Sequence, residues 1–333
     1  MKNRRPDRRR MNHDPVRPKP KGSFKKTHTS SVGVVVPCFN QGLFAEDCLA
    51  SINNQTYSNW RAVLLDDAST DGFSGKICET LATEKVSVTR LNQNLGRSLI
   101  RNEGVNRLGP VDFILNVDCD DFLSPNYIEE LVIALNNNPD AGLAYGQLHY
   151  FGCDTEGKKW PDRQFAPDRM YIENIIPGPG TMIRSRALAQ TAMWRGDFTG
   201  PGGEDYDIWL QVIEAGWKPI WRREAVYFYR QHNESFLAQS NAGTQVDVAL
   251  RILRHHKKGI TRTVGIESYL EKLIMPELLQ TIRMGRFKRA SGLLSYLLRI
   301  SPLSAAKLIV RYYLRRLMKV VSLILKGRSR ESS

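Results

Sequence analysis

A chain of 333 residues, 41% hydrophobic and 25% charged, has the make-up of a globular protein with room for one large domain and an appendage, or two modest domains. Its formal charge of +14 is concentrated at the ends, with 11 Lys/Arg and 2 acids in residues 1–26 and 8 Lys/Arg and no acid in residues 307–330, so the body is close to neutral. Five irregularly spaced cysteines without a C-x-x-C pair argue against a zinc site or a disulfide framework, and no apolar run reaches the roughly 18 residues of a membrane span.

Residues 1–30 are rich in Arg, Lys, Pro and Asn and read as a basic disordered tail without the apolar segment of a secretory signal. Order begins at "SVGVVVPCFN", where Val34-Val35-Val36 predicts a buried strand ended by Pro37. A helical segment, Phe44 to Ile52, follows. "RAVLLDDASTDG" predicts a second strand, Ala62 to Leu65, running into Asp66 and Asp67. "VSVTRL" predicts a third strand, "GRSLIRNEGVNRL" a helix and "VDFILNV" a fourth strand. Ser124 fits an N-cap with Pro125 at the first helical position, and Ile128, Leu131, Val132 and Leu135 then form one apolar helix face. "AGLAYGQLHYF" is a further strand, "IIPGPGTMIRS" a loop leading into a short strand, and "GEDYDIWLQVIEAGWK" a helix with Gly216 just beyond its end. "AVYFYRQH" closes the body with a strand.

Strands alternating with helices predict an α/β fold, a mostly parallel sheet between helix layers. Ligands of such sheets gather beyond the carboxyl ends of the strands. Asn40, the pair Asp66/Asp67, and the trio Asp118/Asp120/Asp121 fall there after the first, second and fourth strands. Three polar clusters on one edge point to a site. In an extended D-x-D, Asp118 and Asp120 would face the same way and Cys119 the protein. A hard divalent cation, Mg²⁺ or Mn²⁺, would relieve the crowding of these carboxylates and leave positions for a substrate diphosphate.

The order "VVVPCFN", "LLDDASTDG", "NLGRSLIRNEG", "LNVDCDDFLSP", "GPGTMIRS", "GEDYDIWLQV", "YRQHNESF" resembles the family 2 inverting glycosyltransferases with a GT-A fold, over roughly residues 31–236. The resemblance implies a mixed, mostly parallel sheet and a nucleotide-sugar donor, with a UDP-sugar expected. It implies that Pro37 and Asn40 line the nucleoside pocket, that Asp67 accepts a hydrogen bond from the base, and that Arg97 contacts the donor. Asp118 would reach the ribose or the metal, Asp120 would ligate the metal between the phosphates, and His232 would supply another ligand. Asp121 also matches a family carboxylate, and which of Asp120 and Asp121 dominates stays open. "GEDYDIW" would hold the general base, Asp205, with Glu204 as its substitute. The acceptor would be a hydroxyl of a glycan or lipid-linked molecule in surface polysaccharide synthesis.

Residues 237–333 predict a helical extension broken near Pro276 and Pro302. Lys307, Arg311, Arg315 and Lys319 share one helical sector opposite an apolar one, the pattern of a basic amphipathic helix on an anionic membrane surface. With the reduced cysteines, this suggests a cytoplasmic protein peripheral to the inner face of the cell membrane. Nucleic acid is not expected as a partner, because the tails are basic but the body carries no recognised module. A nicotinamide oxidoreductase would need G-x-G-x-x-G where this chain has "PCFNQG". The alternative within the same fold is a catalytically inactive, membrane-associated scaffold.

Overall fold

The computed structural model describes residues 30–152, 159, 165–198, 202–231, 242–307 and 309–312. Among the described residues, eight strands form one sheet in the order β3-β2-β1-β4-β7-β6-β8-β5. They are β1 (Val32–Cys38), β2 (Trp60–Asp66), β3 (Val86–Arg90), β4 (Phe113–Asn116), β5 (Phe122–Leu123), β6 (Ala141–Gly152), β7 (Met182–Arg184) and β8 (Lys218–Gln231). β3, β2, β1 and β4 run parallel. β7 is antiparallel to both β4 and β6, β8 is parallel to β6, and β5 is antiparallel to β8. The sheet is therefore mixed, and β1, β2, β4, β6 and β8 all end on the same edge.

The helices in chain order are α1 (Gly42–Asn53), α2 (Ser74–Glu79), α3 (Gly96–Leu108), α4 (Tyr127–Asn137), α5 (Pro167–Met170), α6 (Ser185–Leu188) and α7 (Glu204–Glu214). After the body come α8 (Ala242–Thr263), α9 (Ile266–Tyr269), α10 (Met275–Arg283) and α11 (Phe287–Ile300). Alternation along β1 sends Val32, Val34 and Val36 to one face, with residues of α1 and α4 such as Leu49, Ile52 and Leu131. Val35 joins the other face, with Ile100 and Leu108 of α3 and Trp209 of α7. Both faces are covered, which is why the parallel strands read as continuous apolar runs. Ile252, Leu253, Tyr269, Leu270 and Ile274 of the C-terminal helices belong to that second core as well.

Two local expectations change. β1 continues through Pro37 to Cys38, with Pro37 opposite Leu65 of β2. Val35 turns its carbonyl toward Val117 beside β4, and its partner Asn116 is the last residue of β4 in the ladder. Pro37 faces that same side, so its missing N–H leaves no ladder bond unmade. α4 starts at Tyr127 rather than at Pro125. Ser124 does not cap it, because its hydroxyl accepts the N–H of Val226 and its own N–H donates to the Val226 carbonyl, pinning it to β8. The membrane-directed segment 307–330 lies outside the described residues beyond Tyr312. Among the described residues, no helix is long and apolar enough to cross a membrane.

Candidate active site

The shared sheet edge brings together side chains far apart in the chain, and Arg101 joins them. Its guanidinium, 3% exposed, donates from Nη1 to Glu204 Oε1 at 3.0 Å and from Nη2 to Asp118 Oδ1 at 3.1 Å. Asp205 Oδ2 lies 3.8 Å from the same Nη2. Nη1 also donates to the Arg97 carbonyl one helical turn back. Burial opposes the charge on Arg101, but Asp205, Asp118 and Glu204 together hold its pKa above the ordinary range. One planar fork thus gathers Asp118, beyond β4, and the first turn of α7. Arg97, on the same face of α3, sits 3.9 Å from Glu204 through Nε.

Asp205 is held from the other side by Trp194, whose indole Nε1 donates to Oδ1 at 3.4 Å. Trp194 is in turn fixed by Asn102 of α3, which accepts its N–H and donates to its carbonyl. The Gly-Pro-Gly loop closes against the carboxylate: a Cβ on Gly178 would stand 2.5 Å from Asp205 Oδ2, so only glycine fits this approach. Burial pushes the Asp205 carboxyl up to about 6, with Arg101 drawing it down and Glu204 and Asp118 adding to the rise. A carboxyl group in that range exchanges a proton near neutral pH.

On the opposite flank, Asp67 follows β2 and is almost wholly buried. Its Oδ1 accepts the N–H of Leu95 at 2.7 Å and its Oδ2 the N–H of Gly96 at 2.9 Å. It supplies the acceptor that the entry to α3 lacks, since no acid stands in that helix's own first turn. Burial raises its pKa, and these two amides work against the rise. Asn40, at φ 57°, accepts from the N–H groups of Thr70 and Asp71 and so ties the end of β1 to the loop after β2. Pro37 is the next-to-last residue of β1.

The D-x-D segment is not extended. The backbone turns at Cys119 and Asp120, with the Asp121 N–H donating to the Asp118 carbonyl at 3.0 Å. The period-two argument for Asp118 and Asp120 therefore fails, because a turn reverses the chain before alternation can act. Cys119 is nonetheless buried, as expected. Asp118 remains partly open, with 28% of its side chain exposed, and burial raises its pKa, with Arg101 countering and Asp120 adding. Asp120 accepts from Gln41 Nε2 at 2.8 Å. Asp121 faces inward: it accepts the Tyr227 hydroxyl at 2.8 Å and the Arg230 N–H at 2.7 Å, and burial lifts its pKa well above normal. It braces β8 against the turn.

Crowded carboxylate oxygens suit a hard divalent cation. Asp118 and Asp120 provide two such groups. Among the described residues, no three His, Cys, Asp or Glu side chains converge as a complete metal site. A metal held here would need further ligands from substrate, and His232, the third candidate, lies outside the described residues.

Of the other candidate residues, Pro37, Asn40, Asp67, Arg97, Asp118, Asp120, Glu204 and Asp205 all lie along the one sheet edge or at the helix starts above it. Sequence reasoning missed Arg101, Asn102, Trp194 and Gln41. Arg101 had a signal: it shares a helix face with Gly104 and Leu108, an apolar stripe on which an arginine needs a charged partner.

A family profile described as "Glycosyl transferase family 2" matches residues 33–192, and one described as "Glycosyl transferase family group 2" matches residues 113–326. The chain is 29% identical over 219 residues to the glycosyltransferase GlyA of Streptococcus pneumoniae, covering 60% of this chain and 30% of that protein. It is 27% identical over 219 residues to the O-antigen biosynthesis protein RfbC of Myxococcus xanthus, covering 62% of this chain and 16% of that protein. The chain thus spans less than a third of the length of either relative. The structure of S. aureus TarS 1-349 in complex with UDP-GlcNAc aligns with a TM-score of 0.61 at 14% identity, covering 82% of each chain. The mannosyltransferase PcManGT from Pyrobaculum calidifontis, in complex with GDP-Man and Mn²⁺, aligns at 0.53 and 17% identity, covering 86% and 81%. At such identities the likeness is one of fold, and the fold is GT-A.

Proposed function

Because the chain belongs to glycosyl transferase family 2, we propose that it moves a sugar, with inversion, from a UDP-sugar to a hydroxyl of a glycan or lipid-linked acceptor in surface polysaccharide synthesis. The observation that carries the reading is the meeting of Asp118 with Glu204 and Asp205 around Arg101. Transfer needs a diphosphate-binding side and a proton acceptor close to one sugar, and in this reading Asp118 serves the first and Asp205 the second. A neighbour of the same fold binds UDP-GlcNAc, and another binds GDP-Man with Mn²⁺, which supports this donor chemistry.

In the proposed reaction, Asp205 accepts the proton of the acceptor hydroxyl as its oxygen bonds to the anomeric carbon. The bond from that carbon to the phosphate oxygen breaks, and its electron pair leaves with the nucleoside diphosphate. A carboxyl with a pKa of about 6 is ionised at pH 7 yet still basic enough for this step. Arg101 keeps Asp205 ionised and fixes its place, and Glu204 is the substitute base. Asn40 and Pro37 line the nucleoside side, Arg97 meets the donor, and Asp67 offers its remaining lone pairs to the base while it holds the α3 entry. Asp118 and Asp120 would hold Mg²⁺ or Mn²⁺, which neutralises charge gathering on the departing diphosphate when bound. His232 is the further ligand proposed.

We place the catalytic unit at residues 31–236 and the helical extension at 237–333. The four buried cysteines carry free thiols, which supports a reducing compartment. A peripheral position on the inner membrane face fits the basic C-terminal segment 303–333.

The test is release of nucleoside diphosphate from a panel of nucleotide sugars, with and without Mn²⁺, after thermal-shift screening for the donor. The expected result is metal-dependent release that falls about 10²–10⁴-fold in Asp205→Asn. Release unchanged by that substitution removes Asp205 as the base. An absence of turnover in a chain that still binds UDP-sugar favours the inactive scaffold.

A further inference from the structure

Six of the ten large apolar side chains most exposed among the described residues lie between residues 282 and 310. Three of them crowd the turn from α10 to α11: Ile282 at 45% exposure, Met284 at 55% and Phe287 at 69%. Scattered exposed hydrophobics need no explanation, but three within six residues on a helix–helix turn form a patch. Between and beside them stand Arg283, Arg286 and Lys288, all exposed. Arg289, next in line, turns inward to Glu277 and Asp247 and anchors the start of α11.

The exposed charges on the turn itself, Arg283, Arg286 and Lys288, have one sign. From Leu278 to Arg330 the chain contains 13 Lys/Arg and no Asp or Glu. Arg286 and Lys288 also lie at the N-terminal end of α11, where the helix dipole disfavours cations. Helix stability therefore does not account for them. An aromatic ring and two apolar chains, interleaved with cations, match a surface that is apolar beneath and anionic on top. That surface is the interface of a bilayer with acidic headgroups.

We propose that the α10–α11 turn, Ile282–Lys288, inserts into the headgroup region of an anionic lipid bilayer, with Met284 and Phe287 entering the acyl boundary and Arg283, Arg286 and Lys288 meeting headgroup phosphates. This contact is distinct from the segment 303–333, and it needs no sugar donor, so its failure would leave the transferase reading intact.

The experiment uses the full chain, with a Cys153→Ser background carrying Met284→Cys labelled with an environment-sensitive fluorophore. Vesicles are phosphatidylcholine alone or phosphatidylcholine with about a third phosphatidylglycerol. The expected result is a blue shift and brighter emission only with the anionic vesicles. Met284→Asp with Phe287→Asp should weaken co-sedimentation with them on the order of tenfold or more, at an unchanged melting temperature. Arg283→Gln, Arg286→Gln and Lys288→Gln together should weaken binding and flatten its salt dependence. A probe that stays in water while the chain sediments overturns the proposal, as does undiminished binding by the aspartate variant or no binding by the parent. So does a dimer dissolved by Phe287→Asp without any change in vesicle binding, which would make the turn a contact between copies.

Discussion

Arg101 stands where three carboxylates would otherwise repel one another. Taking its charge away leaves Glu204, Asp118 and Asp205 crowded and poorly solvated, a loss that for buried pairs runs to about 3–5 kcal/mol. Arg101→Gln should therefore lower the denaturant midpoint and move the proton equilibrium of Asp205. The sign follows from the interactions: Arg101 draws the Asp205 pKa down, and its removal lets burial and the neighbouring acids push it above about 6. A base must be ionised to act, so the acid limb of the kcat/KM–pH profile, which reports the free enzyme, should lie near pH 6 in the parent and at higher pH in the variant. A limb that stays in place would mean that Arg101 braces the site without tuning it. Arg101→Lys separates the two roles, since an ammonium keeps the charge but cannot bridge Glu204 and Asp118 as a fork.

Helix α3 carries Arg97, Arg101 and Asn102, and its distance from β1 sets their reach. That distance depends on Gly104, where an added Cβ would meet Val35 Cγ1 at 2.3 Å. Gly104→Ala should cost about 1–3 kcal/mol by overpacking and weaken nucleotide-sugar binding as the helix lifts; urea melts and calorimetry would read the two effects. Unchanged binding in a destabilised variant would uncouple the helix from the donor. The elements themselves were legible where one local signal dominates. β1, β2 and β4 are built on short apolar runs, and α7 has its apolar spacing and Gly216 beyond its end. Legibility stopped where distant chain decides. Ser124 and Pro125 spell a helix start, yet β8 captures Ser124. The alternating face expected for Asp118 and Asp120 was lost to a turn held by Asp121, which in turn answers to Tyr227 and Arg230 more than a hundred residues away. For Arg101 the apolar stripe it shares with Gly104 and Leu108 signals burial, but its partners Asp118 and Glu204 are fixed only by the fold.

At the scale of the molecule, the C-terminal helices are part of the same core as the sheet, and one polar network fastens them to the helix that bears Asp205. His256 lies at the kink of α8, at φ −114° and ψ 22°, and is 1% exposed. Its Nε2 is 2.9 Å from Asp207 Oδ1 and its Nδ1 2.9 Å from Glu214 Oε2, both on α7. Asp207 is met also by Arg195 and Gln211, and Glu214 by the Tyr171 hydroxyl. Burial works against the imidazolium, but the hydrogen bonds to Asp207 and Glu214 outweigh it, so the His256 pKa rises above 6.5. A raised folded-state pKa stabilises the fold fully below the unfolded value and ceases to do so as pH climbs through the folded one. His256→Gln should thus cost on the order of 3 kcal/mol at pH 6, where the parent holds a paired imidazolium. The gap should narrow as pH climbs past the unfolded value and through the raised folded one, where the parent gives up that proton. Urea unfolding of both chains across this range reads the difference directly. A gap that stays constant with pH would mean that the ring remains neutral between its two acids and holds α8 to α7 by packing and neutral hydrogen bonds alone.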